Sequence, residues 1–533
     1  MTEPSTPVRL APATDWRWAA RAARWRRFAV ITVLGFASGL PLALTGQALQ
    51  AWLAMDGMDV AAIGFLSLVG MPYTFKFLWA PLMDRFELPG LGRRRGWMVL
   101  TQLACAALLA ALSFTNPQTS LAWFAVLALA VAFVSASQDV VIDAYRTDLL
   151  PSPERGLGSS LNVMGYRLAM ILSGGVAFIW VDPTQGGGWT WPEVYRLMAW
   201  LMVGAAVFCA LALPALPAVD GPRSEARHDV RGFFAVLGAV AVGVAFTQMA
   251  LGPLLRQALG PVWDALGLQA KLAGAWSDLL VLLAGLAYTL PMAAYAARRA
   301  RFETLLNGLG SYFALPGAWA FLALIVLYKL TDAFALSLLT PFLLSGMHFG
   351  TAEVGVANKV FGLWITIGGA LLGGALMLRL GLWRALFAFG LLQGLSNLGF
   401  WWLAHAGSGS LGAISVPAFD WGFVSLKHAT AVDGGLLLAV ALDNLSGGMG
   451  TAAFLALLMA LCNQRFTATQ FALLSAFASI GRVWVGPLAG VTATSVGWPS
   501  FFVLAALLCL PALALLVRMR PEIDLLDAPP HQS

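Results

Sequence analysis

Two carboxylates and a guanidinium stand in a stretch that otherwise belongs in hydrocarbon: Asp139, Asp143 and Arg146, within Ser135-Ala-Ser-Gln-Asp-Val-Val-Ile-Asp-Ala-Tyr-Arg146. Spacings of four and three residues put all three along one stripe of a helix, with Gln138 beside them. Phe133, Val140, Val141 and Ala144 form the other face. A carboxylate at bilayer depth costs about 2.5 to 3.5 kcal/mol on insertion scales, so the stripe has to face inward and be compensated. Compensation alone describes a structural ion pair with neighbouring helices. Two carboxylates one turn apart also repel each other, and a single proton relieves that repulsion, which is the chemistry of a proton carrier.

A second charged set follows later in the chain. Lys329 and Asp332 form an i,i+3 pair inside the apolar run Trp319 to Leu344, either neutralising each other or serving a site with Asp332 as a further proton-coupling carboxylate. Asp443-Asn444 is another polar interruption, and Lys76, Arg167, Lys359 and Arg482 are cations within apolar runs. Four carboxylates (Asp139, Asp143, Asp332, Asp443) against five such cations leave a slight positive excess, which suits an anionic solute. Gln47 and Gln50 share a face of the first apolar run and can hydrogen-bond a polar solute. Gly35, Gly39, Pro41 and Gly46 in that run either let it bend or let another helix approach closely.

These groups need a membrane around them. The 533-residue chain is 59% hydrophobic and only 11% charged, against roughly 25% charged in soluble domains. Its apolar runs are continuous and mostly about 20 residues or longer, which fits spanning helices and not the alternating ten-residue strands of a barrel. The four cysteines (Cys105, Cys209, Cys462, Cys509) lie in apolar segments without metal-ligand spacing and read as buried thiols. No cofactor or metal is expected, and the position of the +6 net charge argues against a nucleic-acid partner.

The runs fall at roughly 28–54, 60–83, 97–115, 119–145, 157–180, 194–216, 233–255, 272–297, 318–345, 351–378, 383–404, 434–461, 467–490 and 497–517, about fourteen spans. With the N-terminus inside, 23 of the 32 Lys and Arg residues fall on inner segments, four on outer loops and five within helices, so the positive-inside rule puts both termini in the cytoplasm. Residues 1–27 are expected to form a basic, Trp-bearing interfacial arm on the anionic leaflet, and not a signal peptide. The segment 53–64 lines up with 344–355 at an offset of 291, and Gly165-Tyr-Arg167 with Gly481-Arg482. Two parallel halves follow, 28–216 and 318–517. The pair of runs within 217–317 is an inserted transmembrane hairpin, its flanks Pro-rich on one side and basic on the other. Residues 518–533 read as a cytoplasmic tail, acidic and disordered after Pro521, and the role of the outer loop 405–433 is not legible.

Between the second and third runs, Asp84-Arg85 followed by Gly92-Arg93-Arg94-Arg95 resembles the loop signature of the major facilitators. The resemblance implies that Asp84, Arg85 and the Arg93–Arg95 cluster act in gating on the inner side, with Gly39 and Pro41 as bending points. Taken on motifs alone, Gly35-Phe-Ala-Ser-Gly-Leu-Pro41, Phe75-Lys-Phe-Leu-Trp-Ala-Pro-Leu-Met-Asp-Arg85, Ser135-Ala-Ser-Gln-Asp139, Tyr328-Lys-Leu-Thr-Asp-Ala-Phe334, Gly447-Gly-Met-Gly-Thr451 and Ala468-Thr-Gln-Phe-Ala-Leu-Leu-Ser475 resemble the AmpG-type muropeptide permeases. These are a bacterial inner-membrane branch of the major facilitators. The likeness runs from about residue 28 to 515 and weakens across 217–317 and 405–433. It implies an all-α polytopic membrane protein, a monomer in the bilayer. It also implies proton-coupled import of GlcNAc-anhydroMurNAc peptides, which serves peptidoglycan recycling and β-lactamase induction and hence antibiotic resistance. In that scheme Gln47, Gln50, Gln138, Arg146, Arg167, Lys329, Lys359, Asp443, Asn444 and Arg482 contact the solute, and Asp139, Asp143 or Asp332 carries the proton.

Other classes fit less well. An ATP-driven pump needs a phosphate-cradling Gly-Lys loop, and none of the five lysines follows a glycine. A membrane enzyme on peptidoglycan needs paired catalytic groups, where the outer loops offer only scattered His348, His405 and His428. A sensor without transport would want a cytoplasmic output domain. Among transporters, an acetyl-CoA-like carrier of another anionic solute and a drug/proton exporter are the alternatives.

Overall fold

The computed structural model describes residues 15–56, 67–88, 90–181, 188–214, 216, 225–268, 270–420, 425–426 and 429–527, though not every side chain within them. The expected helical architecture holds. Among the described residues, ten helices are long and apolar enough to cross a bilayer. Two long helices hide an interruption: Leu363–Ala406 contains Gly381 at φ 73°, and Thr467–Leu507 contains Gly497 at φ 76°. Glycine takes that left-handed backbone without the clash other residues meet, so each stretch divides there into two helices, between the expected runs 351–378 and 383–404 and between 467–490 and 497–517.

The first helix, Asp15–Thr45, departs from expectation at its start. No glycine or proline interrupts it before Gly35, so from Asp15 on the basic arm is continuous with the spanning helix and is not a separate interfacial element. Arg26 reaches Ala212 O at 3.0 Å, and Arg27 binds Glu154 at 2.6 and 2.9 Å, fastening the arm to the bundle. Further along, the glycines serve close packing. A Cβ on Gly35 or Gly39 would strike the backbone carbonyl of Asn162 or Tyr166 on the helix Arg155–Ile171, and one on Gly165 would strike that of Thr32. Pro41 lies inside the helix, which ends at Thr45 and resumes as Gln47–Met55. The same device recurs later in the chain, where Gly369 and Gly373 abut Leu445 and Met449 on the helix Gly434–Ala460.

The second run, expected as one helix over 60–83, is broken in its described part, residues 60–66 lying outside the described residues: a 3₁₀ turn Ser67–Gly70, a short helix Met71–Phe75, a second 3₁₀ turn Lys76–Leu78, and a helix Ala80–Arg85. Pro72 and Pro81 lack the N–H that would continue the ladder. Four π-helical stretches, Leu172–Val176, Thr247–Leu251, Phe342–Gly346 and Val356–Gly362, interrupt other helices.

One apolar cluster joins residues from Leu40 to Met202 and another residues from Phe334 to Phe502, while a third unites Phe28, Ile31 and Leu150 with Tyr312, Leu382, Leu457 and Phe471. The two sides of the bundle also touch where a Cβ on Gly374 would collide with Ser160 Oγ and one on Gly156 with Met377. The inserted hairpin runs longer than the expected 233–255 and 272–297: its first arm is continuous over Ala226–Ala265, 40 residues, and its second is Ala270–Arg299. Gly243 packs on Thr289, and Gly285 on Thr247. Only 17% of the most apolar window of the first arm is buried against protein, compared with 72% for the first span, so the hairpin turns most of its surface outward.

The loop 405–433, whose role the sequence leaves illegible, holds a strand pair: Ala413–Val416 pairs antiparallel with Thr430–Asp433, register Ala413 to Asp433, and Asp433 then caps the next helix at Leu436 N, 2.9 Å. Its Val, Ile and Thr content suits a strand pair. The tail expected to be disordered starts as a helix, Arg520–Asp527, with Ile523 fully buried and Arg520 stacked 4.7 Å from the Trp383 ring centre.

Candidate functional site

The helix Leu121–Leu149 carries the charged stripe in its last third. Asp139 is buried and accepts a hydrogen bond from Ser38 Oγ of the first helix, while Gln138 Nε2 donates to Ala37 O at 2.9 Å. One turn on, Asp143 lies between two cations, with Lys76 Nζ at 3.5 Å and Arg146 Nη2 at 2.9 Å. The broken second run brings Lys76 there. Tyr73 OH donates to Ser135 Oγ at 2.8 Å and Trp79 Nε1 to Ser137 Oγ at 2.9 Å, pinning that run to the stripe on both sides of Lys76. Arg146 is 1% exposed, and its guanidinium carbon lies 5.4 Å from the centre of the Phe471 ring. The two carboxylates therefore differ in kind: Asp143 is paired directly with two cations, while the direct polar contact of Asp139 is one hydroxyl.

Across the bundle, Lys329 Nζ lies 3.7 Å from Asp332 and 3.3 Å from Thr451 Oγ1, with the Phe454 ring centre 5.1 Å away. Asp443 lies within electrostatic range of Asp332. Asn444 ties two helices together: it accepts from Thr366 Oγ1 at 2.7 Å and donates to Val440 O at 2.9 Å.

At the end of the molecule marked by Asp84, the loop after the second run meets the start of Thr467–Leu507. Asp84, wholly buried, accepts from Ala468 N at 3.2 Å, Thr469 N at 2.8 Å and Thr469 Oγ1 at 2.7 Å, so its charge sits at the positive end of that helix. Arg94 bridges Asp84 and Asp148, both at 3.0 Å, and Asp148 accepts from Thr467 Oγ1 at 2.6 Å. Arg93 donates to Asp84 O at 3.2 Å, Arg95 to Ala210 O, and Arg85 faces Asp229 at 3.6 Å. The arrangement is a latch joining residues some 385 positions apart.

Comparison with known proteins places this geometry. The anhydromuropeptide permease of Escherichia coli (strain K12) is 40% identical over 498 residues, 93% of this chain and 80% of that protein. The chain belongs to the anhydromuropeptide permease family. A putative transporter AmpG 4 of Rickettsia conorii is 26% identical over 93% of this chain and 96% of its own. A family model described as Acetyl-coenzyme A transporter 1 matches residues 27–183. Among solved structures, the fucose:proton symporter of Escherichia coli superposes with a TM-score of 0.52 at 14% identity, covering 92% of this chain and 98% of that one. That likeness bears on the fold alone, and it agrees with the major facilitator architecture expected from the sequence.

In this member of the anhydromuropeptide permease family, Asp139, Asp143, Arg146 and Gln138 come together as the helical spacing predicts, and so do Lys329 and Asp332. Arg146 and Asn444, expected to meet a solute, are instead engaged with protein groups on neighbouring helices. Arg167 is half-buried on Arg155–Ile171. The side chains of Gln47, Gln50, Lys359 and Arg482 lie outside the described residues. Ser38, Tyr73, Asp148, Thr467 and Asp229 were not legible as site residues: hydroxyls in membrane helices are common, and Asp148 and Asp229 sit at the polar ends of runs where charge draws no notice.

Proposed function

We propose that the protein is a proton-coupled secondary transporter that imports GlcNAc-anhydroMurNAc peptides through the bacterial inner membrane. It works as a monomer with both termini in the cytoplasm. The observation that carries this reading is the 40% identity across 93% of the chain to the Escherichia coli anhydromuropeptide permease. Asp139, a buried carboxylate held by a single hydroxyl on a long apolar helix, supplies a chemically suitable proton site. Lys76 and Arg146 neutralise Asp143, and Asp332 is the second-half carboxylate available for coupling beside Lys329. Lys329, Arg167, Lys359 and Arg482 attract the carboxylates of a sugar-peptide, while Gln47, Gln50, Gln138 and Asp443 bond its hydroxyls and amides. The two halves, 28–216 and 318–517, rock about this site, and the Asp84 latch closes one end, with Pro41 as a bending point. The excess of Lys and Arg on the segments beside the latch supports a cytoplasmic face there. Each proton entering down 100 mV contributes about 2.3 kcal/mol.

The test is uptake of labelled GlcNAc-anhydroMurNAc-tripeptide into proteoliposomes with an inward proton gradient and with the gradient collapsed. Uptake that follows the gradient is expected. Folded, oriented protein that takes up nothing under either condition overturns the reading. The match of residues 27–183 to the family described as Acetyl-coenzyme A transporter 1 favours a second reading, a carrier of acyl-CoA-like anions. Acetyl-CoA as the competitor in the same assay separates the two: competition at micromolar concentration supports the second.

A further inference from the structure

The inserted hairpin carries a carboxylate that a spacer has no use for. Asp229 lies one turn into its first arm and is wholly buried, a costly position for a charge unless it is paired and hydrogen-bonded. It accepts from Thr304 N at 3.1 Å and Thr304 Oγ1 at 2.6 Å, at the start of the linker helix Glu303–Phe313, and faces Arg85 Nε at 3.6 Å. The hairpin is pressed against this spot, since a Cβ on Gly232 would lie 2.8 Å from Phe302 Cα. The linker helix in turn rests on the latched helix: Gln470 Nε2 donates to Gly308 O at 2.8 Å and Ser311 Oγ at 2.9 Å, and a Cβ on Gly308 would sit 3.2 Å from Thr469 Cγ2. Thr469 is itself bonded to Asp84. Consecutive residues at the end of the helix Ala80–Arg85 thus hold two helix starts, Asp84 directly at Thr467–Leu507 and Arg85 through Asp229 at Glu303–Phe313, and the two helices close the ring by touching each other.

We infer that Asp229 is a positioning residue of the gate: it holds Arg85 and the linker helix against the latch, so that the inserted hairpin closes and opens with the loop at Asp84. The inference rests on the transport reading, because a protein that never opens needs no gate. Its consequence is that the hairpin is a third moving part of the closure at this end, where the two halves alone would otherwise set it.

A native thiol reports on this directly. Cys462 opens the turn before the latched helix, and its neighbour Asn463 N donates to Gln470 Oε1 at 2.6 Å, the same side chain that grips the linker helix. Burial pushes the Cys462 thiol well above its ordinary pKa, so it alkylates slowly while the ring is closed. The experiment is the rate of maleimide labelling at Cys462, read by mass spectrometry on the otherwise unaltered protein, with thermal melting as the folding control. Asp229→Asn and Arg85→Gln are each expected to speed labelling about tenfold with melting little changed, and the double variant to be no faster than either. Thr304→Ala removes one bond of the cap and keeps the charge facing Arg85, so its labelling rate stays near that of the unaltered chain. An unchanged rate in Arg85→Gln, or effects that multiply in the double variant, overturns the proposal. Should Asp229→Asn fail to fold, Arg85→Gln decides alone. The readout needs no solute, so labelling that follows these expectations in a protein that takes up no muropeptide would leave the gate standing and remove the transport reading.

Discussion

Asp139 and Asp84 are both buried carboxylates on the same side of the bundle, and they are treated differently by their surroundings. Asp84 is saturated with two backbone N–H groups, a hydroxyl and the Arg94 guanidinium. Asp139 has one hydroxyl from Ser38, while Lys76 and Arg146, which also act on it at longer range, pair directly with Asp143. A carboxylate so fully donated to is tied into the packing, and its loss leaves buried donors unpaired. A carboxylate with one adjustable hydroxyl is less firmly fastened, as the proposed proton carrier requires. The difference separates a fastening from a switch, although both residues read alike as acids in or beside apolar runs.

Breaking the fastening gives the largest expected effect. Asp84→Ala leaves Arg94 with Asp148 alone and strands two helix-start N–H groups, a loss of about 3 to 5 kcal/mol typical of removing one partner of a buried pair, visible as a large drop in melting temperature in detergent. The switch is expected to behave differently. Asp139→Asn keeps size and hydrogen bonding, so melting shifts little while uptake loses its dependence on the proton gradient and solute counterflow persists. Gradient-driven uptake by Asp139→Asn at the unaltered rate would assign the proton elsewhere. Gly374→Val comes next: its side chain meets Ser160 where the two sides touch, and the overpacking of about 1 to 3 kcal/mol wedges the closed end apart, raising Cys462 labelling. Ser38→Ala sharpens the contrast with a smaller change, a net loss of about 1 kcal/mol, seen as uptake slowed a few-fold with melting preserved. Asn444→Ala is the mildest, since interhelical polar pairs average about 0.6 kcal/mol in membrane proteins. It tests whether that residue is only the tie to Thr366 that the structure shows, in which case KM for the solute is unchanged.

Much of this was legible before any coordinates. Charge inside hydrocarbon is rare enough that Asp139, Asp143, Arg146, Lys329 and Asp332 stand out, and helical spacing alone brings them together. Partners were less visible than the charges. Nothing in the spacing tells that Lys76 reaches Asp143, because that depends on the second run breaking into short 3₁₀ and α pieces around Pro72 and Pro81. Gly35 and Gly39 signalled either bending or packing, and only the position of Asn162 and Tyr166 backbone decides for packing. The hairpin's first arm was cut short at Leu255 because apolarity falls at Arg256, yet the helix continues through Pro261 to Ala265. Apolar periodicity marks what lies in lipid and is silent on where a helix stops.

That long arm sets a dimension. At 1.5 Å per residue the 40 residues of Ala226–Ala265 rise about 60 Å, twice the roughly 30 Å of hydrocarbon. Tilt alone would need about 60° to hide it, beyond the 0 to 40° range of spanning helices. With Asp229 seated at the latch end, an arm of that length is expected to reach past the opposite leaflet, carrying the exposed Arg256–Asp278 pair with it. In projection, such a mast is a landmark that tells one face of the particle from the other, and a small tag placed beside Leu266 would report sidedness without touching the gate.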